Sequence, residues 1–189
     1  GSEMCIRDSH RGDKPVHWCV DCKSALAEAE VEYQDKVSTS IDFIFPIEAD
    51  NLEKIFETSL KNPNFIASWT TTPWTLPGNL ALTVNEKFVY DLIEIEFEKK
   101  NINIVLAKDL IESTLERIGI SEFKTLGSCE GHELLGLKAR HPYLDRSSLI
   151  IAGDHVTTEA GTGIVHTAPG HGLEDLSLIH ISEPTRRRG

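Results

Sequence analysis

Hydrophobic and polar residues alternate with a period of two along much of this chain, a pattern typical of β-strands that bury one face. Within residues 40–46, for example, Ile41, Phe43 and Phe45 fall on the same face. Other stretches are short, apolar and rich in β-branched residues, which favours buried strands. The predicted strands are residues 30–37, 40–46, 65–70, 80–84, 89–97, 102–107, 123–130, 149–152 and 163–166.

Two stretches carry apolar residues at helical spacing instead. Residues 51–61 place Leu52 and Ile55 on one face, which predicts a short amphipathic helix. Residues 108–118 repeat that spacing, and Gly119 follows as a stop signal. Many short strands with few helices predict an α+β fold, in which peripheral helices surround a β-barrel-like core.

Composition narrows the class of protein only a little. The chain has 189 residues, of which 40% are hydrophobic, and a formal net charge of −11. That length suits one domain with a real core. The acidic charge argues against nonspecific nucleic-acid binding, although it leaves room for a locally basic path. No stretch reaches the eighteen or so consecutive apolar residues of a membrane span.

The most informative polar residues lie in two segments. Residues 69–77 read Trp-Thr-Thr-Thr-Pro-Trp-Thr-Leu-Pro, and residues 161–169 read Gly-Thr-Gly-Ile-Val-His-Thr-Ala-Pro. A carboxylate, Asp175, follows the second segment. Pro73 and Pro77 interrupt helices and hydrogen-bonded ladders, so the first segment is predicted to be a rigid loop after a strand. Hydroxyls, an imidazole and a carboxylate that are brought together by the fold would suit a small polar substrate and a water molecule.

These two segments and the late aspartate closely resemble the hydrolytic editing domain inserted in isoleucyl-tRNA synthetases of class I. The resemblance runs from about residue 11 to residue 175, and related valyl and leucyl editing domains share the Thr-rich and Gly-rich segments. It implies hydrolysis of mischarged valyl-tRNA(Ile) by a positioned water. The implied partners are the acceptor end of tRNA(Ile), valine as the mischarged amino acid and the rest of the synthetase chain, in the cytoplasm and away from membranes.

The resemblance also assigns roles to the threonines and their neighbours. Thr71 and Thr72 are the candidates for orienting water, and Thr70 contacts substrate or is simply a β-branched strand residue. Trp74 stacks on the terminal adenine or forms a pocket wall. Asn79 matches a family position near the substrate.

Two further residues complete the candidate site. Asp175 is expected to pair with the α-ammonium group through charge-assisted hydrogen bonds, unless it is an ordinary surface acid. His166 is expected at the amino-acid pocket, where its bulk excludes isoleucine or its ring donates a hydrogen bond to the ester. The alternative for His166 is a satisfied core histidine. The candidate catalytic set is therefore Thr71, Thr72, His166 and Asp175.

Cysteines leave three interpretations open. Cys19 and Cys22 form a single Cys-x-x-Cys, which is half of a zinc site, a pair of reduced thiols or a redox motif. Cys129 stands alone and is predicted to be a buried structural thiol. Editing itself is expected to need no cofactor, whereas ATP, with or without zinc, belongs to the complete synthetase only.

The ends of the chain have an unusual origin. Residues 176–184 back-translate to a DNA sequence whose reverse complement encodes residues 1–8, so one element read on opposite strands accounts for both ends. It resembles a transposon-type sequencing adaptor, and such segments are kept out of fold reasoning. The expected divisions are adaptor-derived residues 1–9, the end of the synthetase core with a hinge ribbon at 10–30, a C-terminally truncated editing domain at 31–175, and adaptor-derived residues 176–189.

Two other functions compete with editing. One is a noncatalytic module that binds the 3′ end of tRNA and is inactive because it is truncated. The other is a general hydrolase with a serine or cysteine nucleophile, which no Gly-x-Ser-x-Gly or Cys-His arrangement supports. Neither the His-Ile-Gly-His nor the Lys-Met-Ser-Lys-Ser signature of the class occurs, so the synthetic site is not expected here.

Overall fold

Most of the β-branched and aromatic runs become strands of two sheets. The computed structural model describes residues 16–34, 37–171 and 175. The strands are β1 (His17–Cys19), β2 (Ser24–Leu26), β3 (Ile41–Pro46), β4 (Asn64–Thr70), β5 (Ala81–Val84), β6 (Val89–Phe97), β7 (Lys100–Ala107), β8 (Phe123–Glu130), β9 (Lys138–Arg140), β10 (Ser147–Ala152) and β11 (Ile164–Thr167).

Strand order places the two segments of interest close together. The five-stranded sheet has the order β3-β4-β7-β6-β8, and the four-stranded sheet has the order β11-β5-β10-β9. The hydroxyl of Ser68 on β4 donates to the carbonyl of Ile164 on β11 at 2.7 Å, which ties the two sheets together. The end of β4, where the Thr-rich segment begins, therefore lies next to β11, which carries His166.

Side-chain alternation explains how the core is shared between the sheets. Leu92 of β6 and Val105 of β7 are fully buried in the cluster between the two sheets. Their neighbours Ile93 and Ile104 belong to a second cluster on the opposite face of the five-stranded sheet. Because successive residues of a strand point to opposite faces, a sheet buried on both sides needs continuous apolar runs, as these strands have.

Two short α-helices cover the sheets. Helix α1 spans Ala49–Ile55 and buries Leu52. Helix α2 spans Ile111–Arg117 and packs Leu115 into the second cluster. Gly119 adopts a φ of 76° just after α2, the left-handed conformation that ends helices. No helix in the described part of the chain is long and apolar enough to cross a membrane.

The α+β prediction is confirmed, and several element predictions are corrected. Within residues 16–34, 37–171 and 175 the sheets do not close into a barrel. The predicted strand at 30–37 is wrong for 31–34 and 37, which pair with no strand and are mostly exposed; residues 35–36 lie outside the description. Among the described residues no strand lies beside this stretch, so its alternating residues do not form part of a sheet.

Boundaries and one whole strand also differ from prediction. The helix expected at 51–61 is the shorter α1, since Glu57 has a φ of 48° and breaks the helical path. The rigid loop predicted after β4 contains a 3-10 helix, Pro73–Gly78, with Pro73 in the first turn, where its missing N–H costs nothing. Strand β9 was not predicted, because Lys138–Arg140 is only three residues long and buries a single small side chain, Ala139. The remaining 3-10 helices are Glu28–Glu30, Lys108–Leu110 and Gly131–Leu134.

The N-terminal segment forms a separate hairpin, in which β1 pairs antiparallel with β2. Residues 1–9 and 176–189, interpreted as adaptor-derived, lie outside the described residues.

Candidate functional site

The Thr-rich segment begins where β4 ends and the 3-10 helix starts. Thr70 is the last residue of β4 and is buried, whereas Thr71 and Thr72 are exposed. The Thr72 N–H donates to Thr70 Oγ1 at 3.1 Å, and the two hydroxyls lie 3.2 Å apart. The chain thus bends immediately after the strand, because a side-chain hydroxyl replaces the next ladder bond. Thr71 and Thr72 are left exposed.

A buried polar network lies beneath this bend. Thr75 Oγ1 lies 2.7 Å from His166 Nε2 and 2.8 Å from the Thr72 carbonyl oxygen. Asn79 Nδ2 lies 3.0 Å from His166 Nδ1 and donates to the Ala81 carbonyl at 2.8 Å. Both ring nitrogens of His166 are therefore occupied, one by Thr75 within the 3-10 helix and the other by Asn79 just after it.

The donors and acceptors of this network determine the form of the imidazole. An amide nitrogen can only donate, so His166 Nδ1 must accept from Asn79. A neutral imidazole with an acceptor at Nδ1 carries its hydrogen on Nε2, and that N–H donates to Thr75 Oγ1. The Thr75 hydroxyl then donates to the Thr72 carbonyl, so that each donor in the network is matched to one acceptor.

Burial supports the same conclusion. The ring of His166 is 8% exposed and packs edge-on against Phe43 with ring centroids 6.1 Å apart. Burial lowers the pKa of His166 to about 4. The carboxylate of Asp175 acts in the opposite direction, and His171 and His141 lower the pKa of His166 further. At neutral pH His166 is therefore an uncharged, fully hydrogen-bonded side chain.

Asp175 lies close to this network. Its Oδ2 accepts a hydrogen bond from the Ala168 N–H at 2.8 Å, two residues beyond His166. Its side chain is half-buried, and among the described residues no hydrogen bond involves Oδ1. Oδ2 is thus anchored to the backbone.

The remaining predicted site residue on the 3-10 helix is solvent-facing. Trp74 is 66% exposed, so the wall or stacking surface that it offers is open in this structure. A cavity of about 270 Å³ lies at the bend and is lined by Trp69, Thr70, Thr71, His155, Thr157 and residues 160–165. Its wall includes the Thr-rich and Gly-rich segments together, which the sequence separates by about ninety positions.

Two glycines allow the Gly-rich segment to approach β4 and β7. Gly163 has a φ of 71°, and a Cβ there would lie 2.2 Å from Ala107 Cβ. Gly161 has a φ of 84° and packs against the ring of Trp69. Any side chain at Gly163 would push β11, and with it His166, away from the Thr-rich segment.

Hydrogen bonds link Thr70, Thr72, Thr75, His166 and Asn79, and Asp175 is bonded to the backbone two residues beyond His166. Thr71 lines the cavity at the bend, and neither His166 nor Asp175 is among the residues that line it.

The cysteine pair lies outside this network. Cys19 and Cys22 flank the turn of the N-terminal hairpin, and the Cys22 N–H donates to Cys19 Sγ at 3.3 Å. That bond lowers the pKa of Cys19. No cluster of three metal-binding side chains occurs among the described residues, so the half-site stays a prediction. Cys129 is buried as predicted, and burial raises the pKa of its thiol to about 12.

Sequence reasoning missed two members of the network. Thr75 stands inside the Thr-rich segment but was given no role, and Ser148 on β10 was not considered. The Ser148 hydroxyl donates to Asn79 Oδ1, and its side chain is fully buried. The available signal was a serine directly before the predicted strand at 149–152, since a hydroxyl that becomes buried needs a partner.

The chain is similar in sequence to a known family of proteins. Residues 7–125 match the model of the tRNA synthetases of class I (I, L, M and V). The chain belongs to the class I tRNA synthetases. It is 46% identical over 188 residues to the isoleucine–tRNA ligase of Coxiella burnetii (strain Dugway 5J108-111), an alignment that covers 95% of this chain and 20% of that relative. The chain therefore spans about a fifth of the length of the curated relatives it matches.

Solved structures agree on the fold of this class I synthetase chain. The crystal structure of GlLeuRS-CP1 superposes with a TM-score of 0.62 at 16% identity, over 74% of this chain and 58% of that one. The editing domain of the P. knowlesi cytosolic leucyl-tRNA synthetase gives a TM-score of 0.60 at 13% identity, over 77% and 64%. The α+β fold is thus that of synthetase editing domains.

Proposed function

We propose that this chain carries the editing site of an isoleucine–tRNA ligase and hydrolyses valine from mischarged valyl-tRNA(Ile). The observation that supports this most directly is the hydrogen-bonded network that links exposed Thr72 through Thr75 to buried His166 and Asn79, with the carboxylate of Asp175 bonded to the backbone two residues beyond His166. The 46% identity to an isoleucine–tRNA ligase favours the isoleucine branch over the leucine branch of the neighbours in fold.

Asp175 is the proposed site for the amino group of the substrate. The Ala168 N–H anchors Oδ2, so the carboxylate is held in one orientation before substrate arrives. Oδ1 is the proposed acceptor of a charge-assisted hydrogen bond from the α-ammonium group. A preorganised carboxylate costs little ordering on binding, which is why anchoring one oxygen strengthens the contact of the other.

Thr71 and Thr72 are the proposed water-positioning groups. The aminoacyl ester is already activated, so an oriented water can add to its carbonyl carbon without a strong base. The bond from that carbon to the ribose oxygen then breaks, the ribose hydroxyl leaves with a proton, and free valine is released. Both threonines are exposed, and the Thr72 hydroxyl lies 3.2 Å from the Thr70 hydroxyl. These are the groups proposed to hold such a water.

His166 is unsuited to act as the base. Its Nδ1 lone pair already accepts the Asn79 N–H, and its Nε2–H is bonded to Thr75. We propose instead that its neutral ring forms a wall of the amino-acid pocket. One methylene is worth only about 1–3 kcal/mol in a binding pocket, a limit that isoleucyl-tRNA synthetases themselves illustrate, so a second sieve that excludes the larger residue is needed.

The wider context of the site is also a proposal. The partners are the acceptor end of tRNA(Ile) and the rest of the ligase chain, with ATP, and zinc if Cys19 and Cys22 bind it, serving the complete enzyme. The expected location is the cytoplasm. Trp74, which stands exposed beside the bend, offers a ring on which the terminal adenine can stack.

Deacylation of charged tRNA(Ile) tests the proposal. The full-length protein that carries this chain is incubated with valyl-tRNA(Ile) and with isoleucyl-tRNA(Ile), beside Asp175→Ala. We expect rapid loss of valine only, and loss of that activity in the variant. Asp50→Ala is the matched control, because Asp50 is an exposed carboxylate on α1.

Three results would contradict this assignment. If isoleucine is released as fast as valine, the site does not exclude the larger amino acid. If Asp175→Ala keeps full activity, the carboxylate does not bind the substrate. Loss of neither amino acid, with tRNA still bound, makes the chain a tRNA-end binding module.

A further inference from the structure

We propose that Ser148 is a positioning residue, which holds the Asn79 amide in the one orientation that keeps His166 as its neutral Nε2–H tautomer. Ser148 lies on β10, 69 positions from Asn79, and its fully buried hydroxyl donates to Asn79 Oδ1. Its effect on editing rests on the function proposed above, whereas its effect on His166 does not.

The hydrogen-bond partners of Asn79 determine how its side-chain amide is oriented. An asparagine side chain can rotate by half a turn and exchange its donor end for its acceptor end. Here Asn79 Nδ2 donates to the Ala81 carbonyl at 2.8 Å, and Oδ1 accepts from Ser148. The reversed orientation would place Oδ1 against the Ala81 carbonyl oxygen, which repels it. The Ala81 carbonyl selects this orientation, because it can only accept, and the Ser148 hydroxyl stabilises it by donating to Oδ1.

The orientation of the Asn79 amide in turn determines the tautomer of the His166 imidazole. With Nδ2 directed at His166 Nδ1, that nitrogen can only accept, and the ring hydrogen must reside on Nε2. The Nε2–H then donates to Thr75 Oγ1, whose own hydrogen goes to the Thr72 carbonyl. The chain of bonds from Ser148 thus ends at the backbone of Thr72, a proposed water-positioning residue.

The charges around His166 do not override this arrangement. Asp175 is the acid that favours a protonated ring, and His171 and His141 oppose it. Phe43, which packs on the ring from the other sheet, carries no charge. Burial has a larger effect than these charges and lowers the pKa of His166 to about 4. This agrees with an Nδ1 whose lone pair already accepts a hydrogen bond from Asn79.

Nuclear magnetic resonance of histidine labelled with ¹⁵N and ¹³C tests the proposal on the chain, with His166→Gln used to assign the signal. In the wild type we expect the Nε2–H tautomer and no titration of His166 above about pH 5. In Ser148→Ala we expect mixed tautomers and a pKa that moves toward the ordinary 6.5 of histidine. Ser148→Thr keeps the hydroxyl and is expected to restore the wild-type signal.

Deacylation of valyl-tRNA(Ile) by the full-length protein provides the functional readout. Ser148→Ala is expected to lower kcat on the order of 10-fold with KM unchanged, the effect of one lost buried hydrogen bond. Thr83→Val is the matched control. It removes a buried hydroxyl, bonded to Thr167, from the neighbouring strand without touching Asn79 or His166.

The outcomes separate this proposal from the proposed function. A wild-type His166 that carries its hydrogen on Nδ1 overturns the proposal whether or not any variant folds. So does a Ser148→Ala signal identical to wild type, or an equal fall in kcat for Thr83→Val. A wild type with the expected tautomer that fails to deacylate valyl-tRNA(Ile) overturns only the editing function.

Discussion

The centre of the five-stranded sheet and the inner face of the four-stranded sheet bury very different side chains. Leu92 and Val105 pack hydrocarbon against hydrocarbon, and apolar residues of similar volume can replace them at small cost. The inner face of the other sheet ends in His166 and Ser148, each of which has a specific hydrogen-bond partner. A buried polar group without its partner is costly, so this end tolerates far fewer substitutions.

The difference indicates how the domain separates stability from chemistry. Non-directional packing holds the sheets together, while directional bonds orient the groups that face substrate. We therefore expect substitutions in the first region to change the free energy of unfolding and substitutions in the second to change rate or pH dependence.

The largest effect is expected from Leu92→Ala at the centre of β6. Removing a fully buried leucine loses transfer free energy and leaves a cavity, at a cost of about 2–5 kcal/mol. Urea denaturation measures the loss, and deacylation per folded molecule should stay unchanged. A small loss of stability with a large loss of rate would reverse the comparison.

The pH dependence of stability sharpens the comparison at His166. Its pKa is about 4 in the folded chain, below the ordinary 6.5, so the unfolded chain binds a proton first as pH falls. Its stabilising contribution is therefore present above pH 6.5 and is lost between pH 6.5 and about 4, by about 3 kcal/mol at most.

Denaturation of wild type and His166→Gln at pH 7 and pH 4.5 isolates this contribution. The variant should lose less stability on acidification than the wild type. Equal losses in both proteins would show that His166 titrates normally.

A more conservative change at Asp175 tests charge without disturbing structure. Asp175→Asn keeps an oxygen for the Ala168 N–H but loses the negative charge that binds an ammonium. A hydrogen bond to a charged group is worth about 1.5–3 kcal/mol, so we expect deacylation to slow by about 10- to 100-fold. Thermal stability should hardly change; a large fall would make Asp175 a structural residue.

The smallest effect is expected at the ion pair on the surface of the five-stranded sheet. Arg117 of α2 donates two hydrogen bonds to Asp42 of β3, and both side chains are partly exposed. Water screens such pairs, so Asp42→Asn should cost less than about 1 kcal/mol, and less still at high salt. A salt-independent loss of several kcal/mol in chemical denaturation would contradict this.

Local patterns predicted most of the strands, because period-two alternation and β-branched runs are properties of a few neighbouring residues. Strands β6 and β8 have the predicted bounds, and β3, β4, β5, β7, β10 and β11 differ by a few residues. The stretch at 31–34 shows the limit: it alternates, but no partner strand lies beside it. Strand β9 shows the opposite limit, since it is defined by pairing with β10 rather than by its own residues.

The sequence by itself determined the family resemblance, the α+β class and the types of side chain available for chemistry. It indicated Thr71, Thr72, His166 and Asp175 as candidates, but it left open whether His166 was a base, a donor or a core residue. Only the tertiary structure placed Asn79 and Thr75 on its two ring nitrogens and Ser148 behind the amide. The physical reason is that the protonation of a buried histidine depends on donors and acceptors from distant strands, which no local pattern encodes.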